Sequence, residues 1–234
     1  MVLSRLDIVK DFIDYLTGEF NKEVYKILRE DKLSPKKIMT SWEWRNKESF
    51  KTIESSYDFI VDECFLDEII DEWEKESYFQ EGYEVKRGAE QVAILFSDEV
   101  YKISSNDVGT VINQFINSID YHFRFLFLPC SFEGFYKGCY IYKQDRVEVS
   151  ECSGEFTSKA KSKNIDYIYM KNFAIDSDDC CAAIVMKYGQ DFLKELCDEL
   201  GVCGYTLDIH YRNFGITENG DVRIFDPIYQ DGDY

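Results

Sequence analysis

The sequence predicts an α+β fold, and three observations carry the prediction. Apolar residues recur at helical spacing through the first 80 or so positions. Five short apolar runs around one helix follow, and the last third is mostly helical with a single hairpin near its end. Residues 1–80 are expected as a helical extension, 81–145 as a strand-rich domain and 146–234 as a mostly helical domain.

In the extension, Val9, Phe12, Ile13, Leu16 and Phe20 form a helical stripe. Ser34-Pro35 has the form of an N-cap followed by proline at the first helical position. The acid-rich stretch from Tyr57 to Phe79 is expected to be one helix with a solvated face, packed on the main domain as most amphipathic helices are. Strands are expected at Tyr83–Lys86, Gln91–Phe96 and Val100–Ile103, with Ser97-Asp98-Glu99 as turn residues. A helix then carries Val108, Val111, Ile112, Phe115, Ile116 and Ile119 on one stripe, and strands are expected at Phe123–Leu128 and Gly138–Lys143. Residues 150–175 are polar and poorly periodic. Ser177 caps a helix that Gly189 bends and Gly201 ends. Asn219-Gly220 between two apolar runs predicts a hairpin joining Phe214–Thr217 to Val222–Phe225.

Composition narrows the function classes. The chain has 234 residues, 45% of them apolar, enough to bury a real core. Its net charge of −18 opposes binding to nucleic-acid phosphates or anionic membranes. The eight cysteines include no C-x-x-C pair and only two histidines accompany them, so a zinc site is not expected. The N-terminus has acids inside its apolar stripe, unlike a signal peptide, and no run of about 18 apolar residues exists. A reducing, cytoplasmic setting is the expectation. Nothing in the sequence fixes the oligomeric state.

The segment with chemistry runs from Asp208 to Pro227: DIHYRNFGITENGDVRIFDP. An Asp is followed five residues later by Asn213, and a hairpin returns the chain to a second Asp, Asp226. Phosphoryl transfer needs a base near the attacking hydroxyl and hard oxygen ligands for magnesium, and this spacing supplies both. Each residue also has a plain structural reading: Asp208 and Asn213 as turn formers, Asp226 as a turn-starting Asp before Pro227, and Lys102 as a solvated lysine at a strand end.

These residues resemble the minimal protein-kinase-like proteins of bacteriophages and mobile elements, through Asp208-x-His210-x-x-Asn213-x-Gly215 and the closing Asp226-Pro227. Locally, Asp-x-His-x-Arg-Asn-Phe-Gly is similar to the loop of HipA-type toxin kinases. The likeness covers residues 190–228, with a looser match over 83–145. It implies a bilobal fold: a five-stranded antiparallel N-lobe sheet, a reduced C-lobe and the N-terminal helical extension. It implies Mg-ATP as the cofactor, Asp208 as catalytic base and Asn213 and Asp226 as magnesium ligands. Lys102 would pair with the phosphates, and the backbone around Tyr142, Lys143 and Gln144 would meet the adenine at a hinge after the last strand. His210 would support the loop by hydrogen bonding.

The chain also departs from the pattern. Gly88 alone stands where a Gly-rich loop would be, residues 107–120 contain no Glu, and Thr206 replaces a common His. Eight residues follow Asp226, which leaves no room for an activation segment. Two functions are therefore expected: a phosphotransferase acting on a protein Ser, Thr or Tyr hydroxyl, or an inactive kinase-fold protein, an acidic decoy included, that binds and modulates a host protein. A small-molecule kinase of the aminoglycoside or choline type shares Asp-x-x-x-x-Asn, but builds its substrate pocket in a larger C-lobe.

Overall fold

The computed structural model describes residues 4–30, 38–40, 59–61, 63–76, 82–87, 91–104, 106–149, 154–165 and 174–228. The chain divides into two compact units. One comprises Met1–Asp107 with Ser131–Arg146, the other Val108–Cys130 with Val147–Tyr234.

The first unit opens with helix α1, Arg5–Glu30. Ser4 starts it with a reciprocal cap: its hydroxyl accepts from the Asp7 N–H at 3.2 Å, and Asp7 Oδ2 accepts from the Ser4 N–H at 3.1 Å. Val9, Phe12, Ile13 and Leu16 are buried, as their spacing predicts. Two short parallel strands follow, β1 (Ile38–Thr40) and β2 (Phe59–Val61). Helix α2 then spans Glu63–Glu76. The stretch expected as one helix from Tyr57 to Phe79 thus contains a strand: two of the three residues of Phe59-Ile60-Val61 are β-branched, better suited to a pleated ladder than to a helix face. Ser34-Pro35 lies outside the described residues.

A five-stranded antiparallel sheet forms the body of this unit. Its strands are β3 (Glu84–Arg87), β4 (Gln91–Leu95), β5 (Glu99–Ser104), β6 (Ser131–Tyr136) and β7 (Cys139–Asp145), in the order β3-β4-β5-β7-β6. The β6–β7 turn places Lys137 at φ 46° and Gly138 at φ 83°, the two left-handed residues that a tight hairpin needs. Val85, Val92, Ile94, Tyr101, Ile103 and Ile141 share one face and pack with Phe12, Ile13, Ile69 and Ile70 in a single core. The N-terminal helices therefore cover their own sheet. Because directly paired residues share a face, Lys102 stands on the opposite one, with Ala93 and Tyr142 as its cross-strand neighbours.

The expected strand at Phe123–Leu128 is instead a 3₁₀ turn, Arg124–Leu126. Phe123, Leu126 and Phe127 are buried at a spacing of three and four, and only Phe127 makes an isolated bridge, to Ile224. The fifth strand of the sheet is β6, where the sequence reading placed none.

The second unit holds helices α3 (Val108–Ser118), α4 (Glu155–Ser162), α5 (Asp178–Tyr188) and α6 (Gln190–Leu200), and the hairpin of β8 (Phe214–Ile216) and β9 (Val222–Ile224). Ser177 caps α5 through the Cys180 N–H at 3.1 Å. The buried Asp179 accepts from the Gly154 N–H and, at 2.9 Å, from the Thr157 N–H, so one carboxylate on α5 satisfies two donors at the start of α4. Gly189, at φ 95°, separates α5 from α6 outright. Gly201 ends α6 in a right-handed conformation, so the stop there does not use the freedom of glycine.

Two stability predictions follow from this packing. Phe12→Ala, in the fully buried stripe of α1, is expected to cost about 3–5 kcal/mol in urea unfolding; a loss below about 1 kcal/mol would mean that α1 is not part of the core. Burial pushes the Cys197 thiol up to about 11, and burial with the nearby Glu99 and Glu133 carboxylates pushes the Tyr101 hydroxyl up to about 12. Both groups hold their protons longer folded than unfolded, so their contribution is complete below the unfolded values and is lost as pH rises through the folded ones. The melting temperature should fall between about pH 9 and 11, and Cys197→Ala should flatten that slope.

Candidate active site

The loop between α6 and β8 folds onto the strand end after β9. His210 N–H donates to Asp208 O at 3.2 Å and Asn213 N–H donates to His210 O at 3.0 Å, which closes a compact turn. Phe225 N–H donates to Asn213 O at 2.9 Å, and Asp208 N–H donates to Pro227 O at 2.9 Å. An antiparallel bridge between Leu207 and Ile228 continues the same pairing. The β8–β9 hairpin fixes the distance between the two segments. It pairs Phe214 with Ile224, and buries Phe214, Val222 and Ile224. Its connection, 217–221, is one residue longer than the 218–221 that the sequence predicts, because β8 ends at Ile216. Thr217 N–H donates to Asp221 O at 2.9 Å, Gly220 N–H donates to Thr217 O at 2.8 Å, and only Gly220 is left-handed. Helix α5 holds the hairpin tip: Lys187 Nζ lies 3.1 Å from Asp221 Oδ1 and donates to Asn219 O at 3.1 Å.

The structure brings Asp208, Asn213 and Asp226 together. The Asn213 side-chain amide donates to Asp208 O at 2.8 Å, to Asp208 Oδ2 at 3.3 Å and to Asp226 O at 3.2 Å. One Nδ2 thereby ties both acidic positions. Asp226 has φ 48°, a left-handed conformation that is unusual for a residue with a side chain. His210 accepts the Arg212 N–H on Nδ1 at 3.1 Å, and its Nε2 lies 3.7 Å from Asp208 Oδ1.

Asp208 and Asp226 are carboxylic acids and Asn213 an amide, so the side-chain oxygens of these residues are hard, though Asp226 joins the cluster through its backbone oxygen. No group of three His, Cys, Asp or Glu side chains able to hold a metal occurs among the described residues. That excludes a cage built wholly of such side chains there. Hard oxygens of this kind are what magnesium takes, one or two from protein with water and phosphate completing its shell.

Lys102 and the β7 residues belong to the other unit. Lys102 is 6% exposed and lies within β5, so it is not a solvated strand-end lysine. Tyr142, Lys143 and Gln144 lie inside β7, which runs to Asp145, and the chain leaves the sheet only at Arg146. Tyr142 and Lys143 are paired on both sides, to β5 and β6, whereas Gln144 is paired only to β5. The side chains alternate. Tyr142 and Gln144 share the Lys102 face, and the Tyr142 hydroxyl bonds Asp107 Oδ1. Lys143 is on the helix-covered face, 3.5 Å from Glu133 and 3.6 Å from Glu99. Gly88 lies outside the described residues.

Gly215 has a structural role that the sequence reading left unassigned. A β-carbon there would stand 2.6 Å from Val147 Cγ2 and 2.7 Å from Glu148 O. The segment after β7 crosses directly over it and bonds to β8, with Glu148 N–H to Ile216 O at 3.1 Å and Ile216 N–H to Glu148 O at 2.8 Å. The available signal was a glycine between two apolar residues in a strand pattern, which marks a close backbone approach.

No protein-family model matches the chain, and no curated protein is significantly similar to it.

Gly215→Ala forces the Val147–Glu148 segment away from β8. It is expected to cost about 1–3 kcal/mol, read as a lower urea midpoint with an unchanged m-value. An unchanged midpoint would mean that this crossing is not tight.

Proposed function

We propose that the chain is a kinase-like phosphotransferase that uses Mg-ATP and phosphorylates a Ser, Thr or Tyr hydroxyl of a protein. The observation that carries the reading is the Asn213 amide, which gathers Asp208 and the strand end at Asp226 into one hydrogen-bonded cluster. The kinase template asks for these three residue types in this chain order: a base, an Asn and a metal-holding Asp beyond a hairpin. In this reading the Asp208 carboxylate accepts the proton of the attacking hydroxyl, and Asn213 Oδ1 and the Asp226 carboxylate hold magnesium. Magnesium, when bound, neutralises charge on the phosphates. Lys102 adds to the reading: it is a buried cation on β5, the strand that leads into helix α3, as the template's lysine strand leads into its helix. The antiparallel five-stranded sheet and the mostly helical second unit are compatible with a reduced bilobal kinase-like fold.

A second reading rests on α3. Val108–Ser118 contains no acidic residue that could hold Lys102 as the template's helix Glu does. It makes the chain an inactive kinase-fold protein that binds and modulates a host protein.

Calorimetry of Mg-ATP binding to the wild type and to Asp226→Ala separates the two. The phosphotransferase reading expects magnesium-dependent binding that weakens more than about tenfold in the variant, about 1.4 kcal/mol. A folded wild type that binds no ATP at millimolar concentration sinks that reading and leaves the interaction protein.

A further inference from the structure

We propose that His210 is a positioning residue that orients the Asp208 carboxylate, a role that rests on Asp208 being the base in the reading above. Three observations carry it. First, His210 Nδ1 accepts the backbone N–H of Arg212 at 3.1 Å. A ring nitrogen that accepts carries no proton, so the neutral imidazole has its proton on Nε2. Second, that Nε2 faces Asp208 Oδ1 at 3.7 Å, while Asp208 Oδ2 lies 3.3 Å from Asn213 Nδ2. One carboxylate oxygen thus lies against the amide and the other against the imidazole, and the two groups together limit how the carboxylate can turn. Third, the backbone of His210 is fixed at both ends, through Asp208 O and the Asn213 N–H, so the ring is anchored to the loop it braces.

With Nδ1 occupied and Nε2 protonated, neither nitrogen is available to take a proton from an acceptor hydroxyl. His210 thus acts through Asp208 and not on the substrate, in the pattern of a base oriented by a third group. At 3.7 Å the contact is longer than a closed hydrogen bond. The positioning role requires it to close to hydrogen-bond length in the working site, as catalytic contacts do in the complex with substrate.

Two measurements on the full chain test this. The first needs no activity: two-bond proton–nitrogen correlation spectra of the histidines at about pH 8, with His122→Gln for assignment. The expected result is the Nε2–H form for His210, giving way to a tautomer mixture in Asp208→Ala. An Nδ1–H ring, or an averaged ring in the wild type, overturns the proposal. The second splits the ring's two roles. His210→Asn keeps an acceptor near the Nδ1 position and loses the donor toward Asp208, whereas His210→Gln keeps a donor near the Nε2 position. With Mg-ATP turnover as the probe, kcat should fall about 10- to 100-fold in His210→Asn with KM little changed, and should largely return in His210→Gln. Equal loss in both variants, or a loss confined to KM, marks His210 as a loop brace and overturns the positioning role. A wild type without turnover refutes the phosphotransfer reading alone. The spectra then decide by themselves whether His210 and Asp208 are coupled.

Discussion

The amide of Asn213 is the interaction on which the rest of the site depends. Asp208 and Asp226 lie on separate chain segments, and one nitrogen reaches acceptors on both. A carboxylate at position 213 would bring three acceptors against a fourth and add charge, whereas the amide supplies protons without charge. The surrounding backbone repeats the connection through Asp208 to Pro227 and Asn213 to Phe225, so the side chain closes a small ladder that the main chain has begun. Such a cluster is cooperative: loss of its centre removes three donated contacts at once.

Asp226 occupies an uncomfortable position within that ladder. Its φ of 48° is left-handed, and the residue before a proline is further restricted toward extended backbone. Conformations of this kind cost on the order of 1–3 kcal/mol and persist where neighbouring structure imposes them. Here the Leu207–Ile228 bridge and the Asp208–Pro227 bond hold the following residues. Glycine would take this conformation readily but would bring no carboxylate. An acid held left-handed at a strand end, tied to a loop that carries a second acid, is a local departure from what the backbone prefers.

Much of the fold was legible because period and punctuation agree along the chain. The α1 stripe, the Ser177 cap, strands β4 and β5 and the β8–β9 hairpin all lie where residue spacing places them. The failures have physical causes. Phe-Arg-Phe-Leu-Phe-Leu at 123–128 alternates on paper, yet its backbone bonds up to Phe127 are local turn bonds, and only its end reaches another strand, through Leu128 N–H to Ile224 O. Strand β6 hides its period, because Phe132 and Phe135 are both exposed and a bulge between Phe132 and Gly134 shifts the register. For the candidate site, the Asp-x-x-x-x-Asn spacing and the returning hairpin were readable. The closeness of Val147 and Glu148 to Gly215 was not, since it joins segments nearly seventy residues apart by a contact that leaves no periodic trace. The extent of β7 was also hidden, because Gln144 and Asp145 are polar strand residues.

The order β3-β4-β5-β7-β6 has a consequence for how the chain comes off the ribosome. The β3–β5 meander is made first, and its open side is the edge of β5, the strand that carries Lys102. The partner that closes this edge is β7, which is made only after α3 and the 3₁₀ turn have been inserted. At synthesis rates of about 5–20 residues per second, the edge stands open for roughly 2–8 s. An open strand edge is a template for pairing with any other extended chain. The nascent protein is most prone to aggregate in that interval, and the buried lysine at its exposed edge is then a charged gatekeeper before it is anything else.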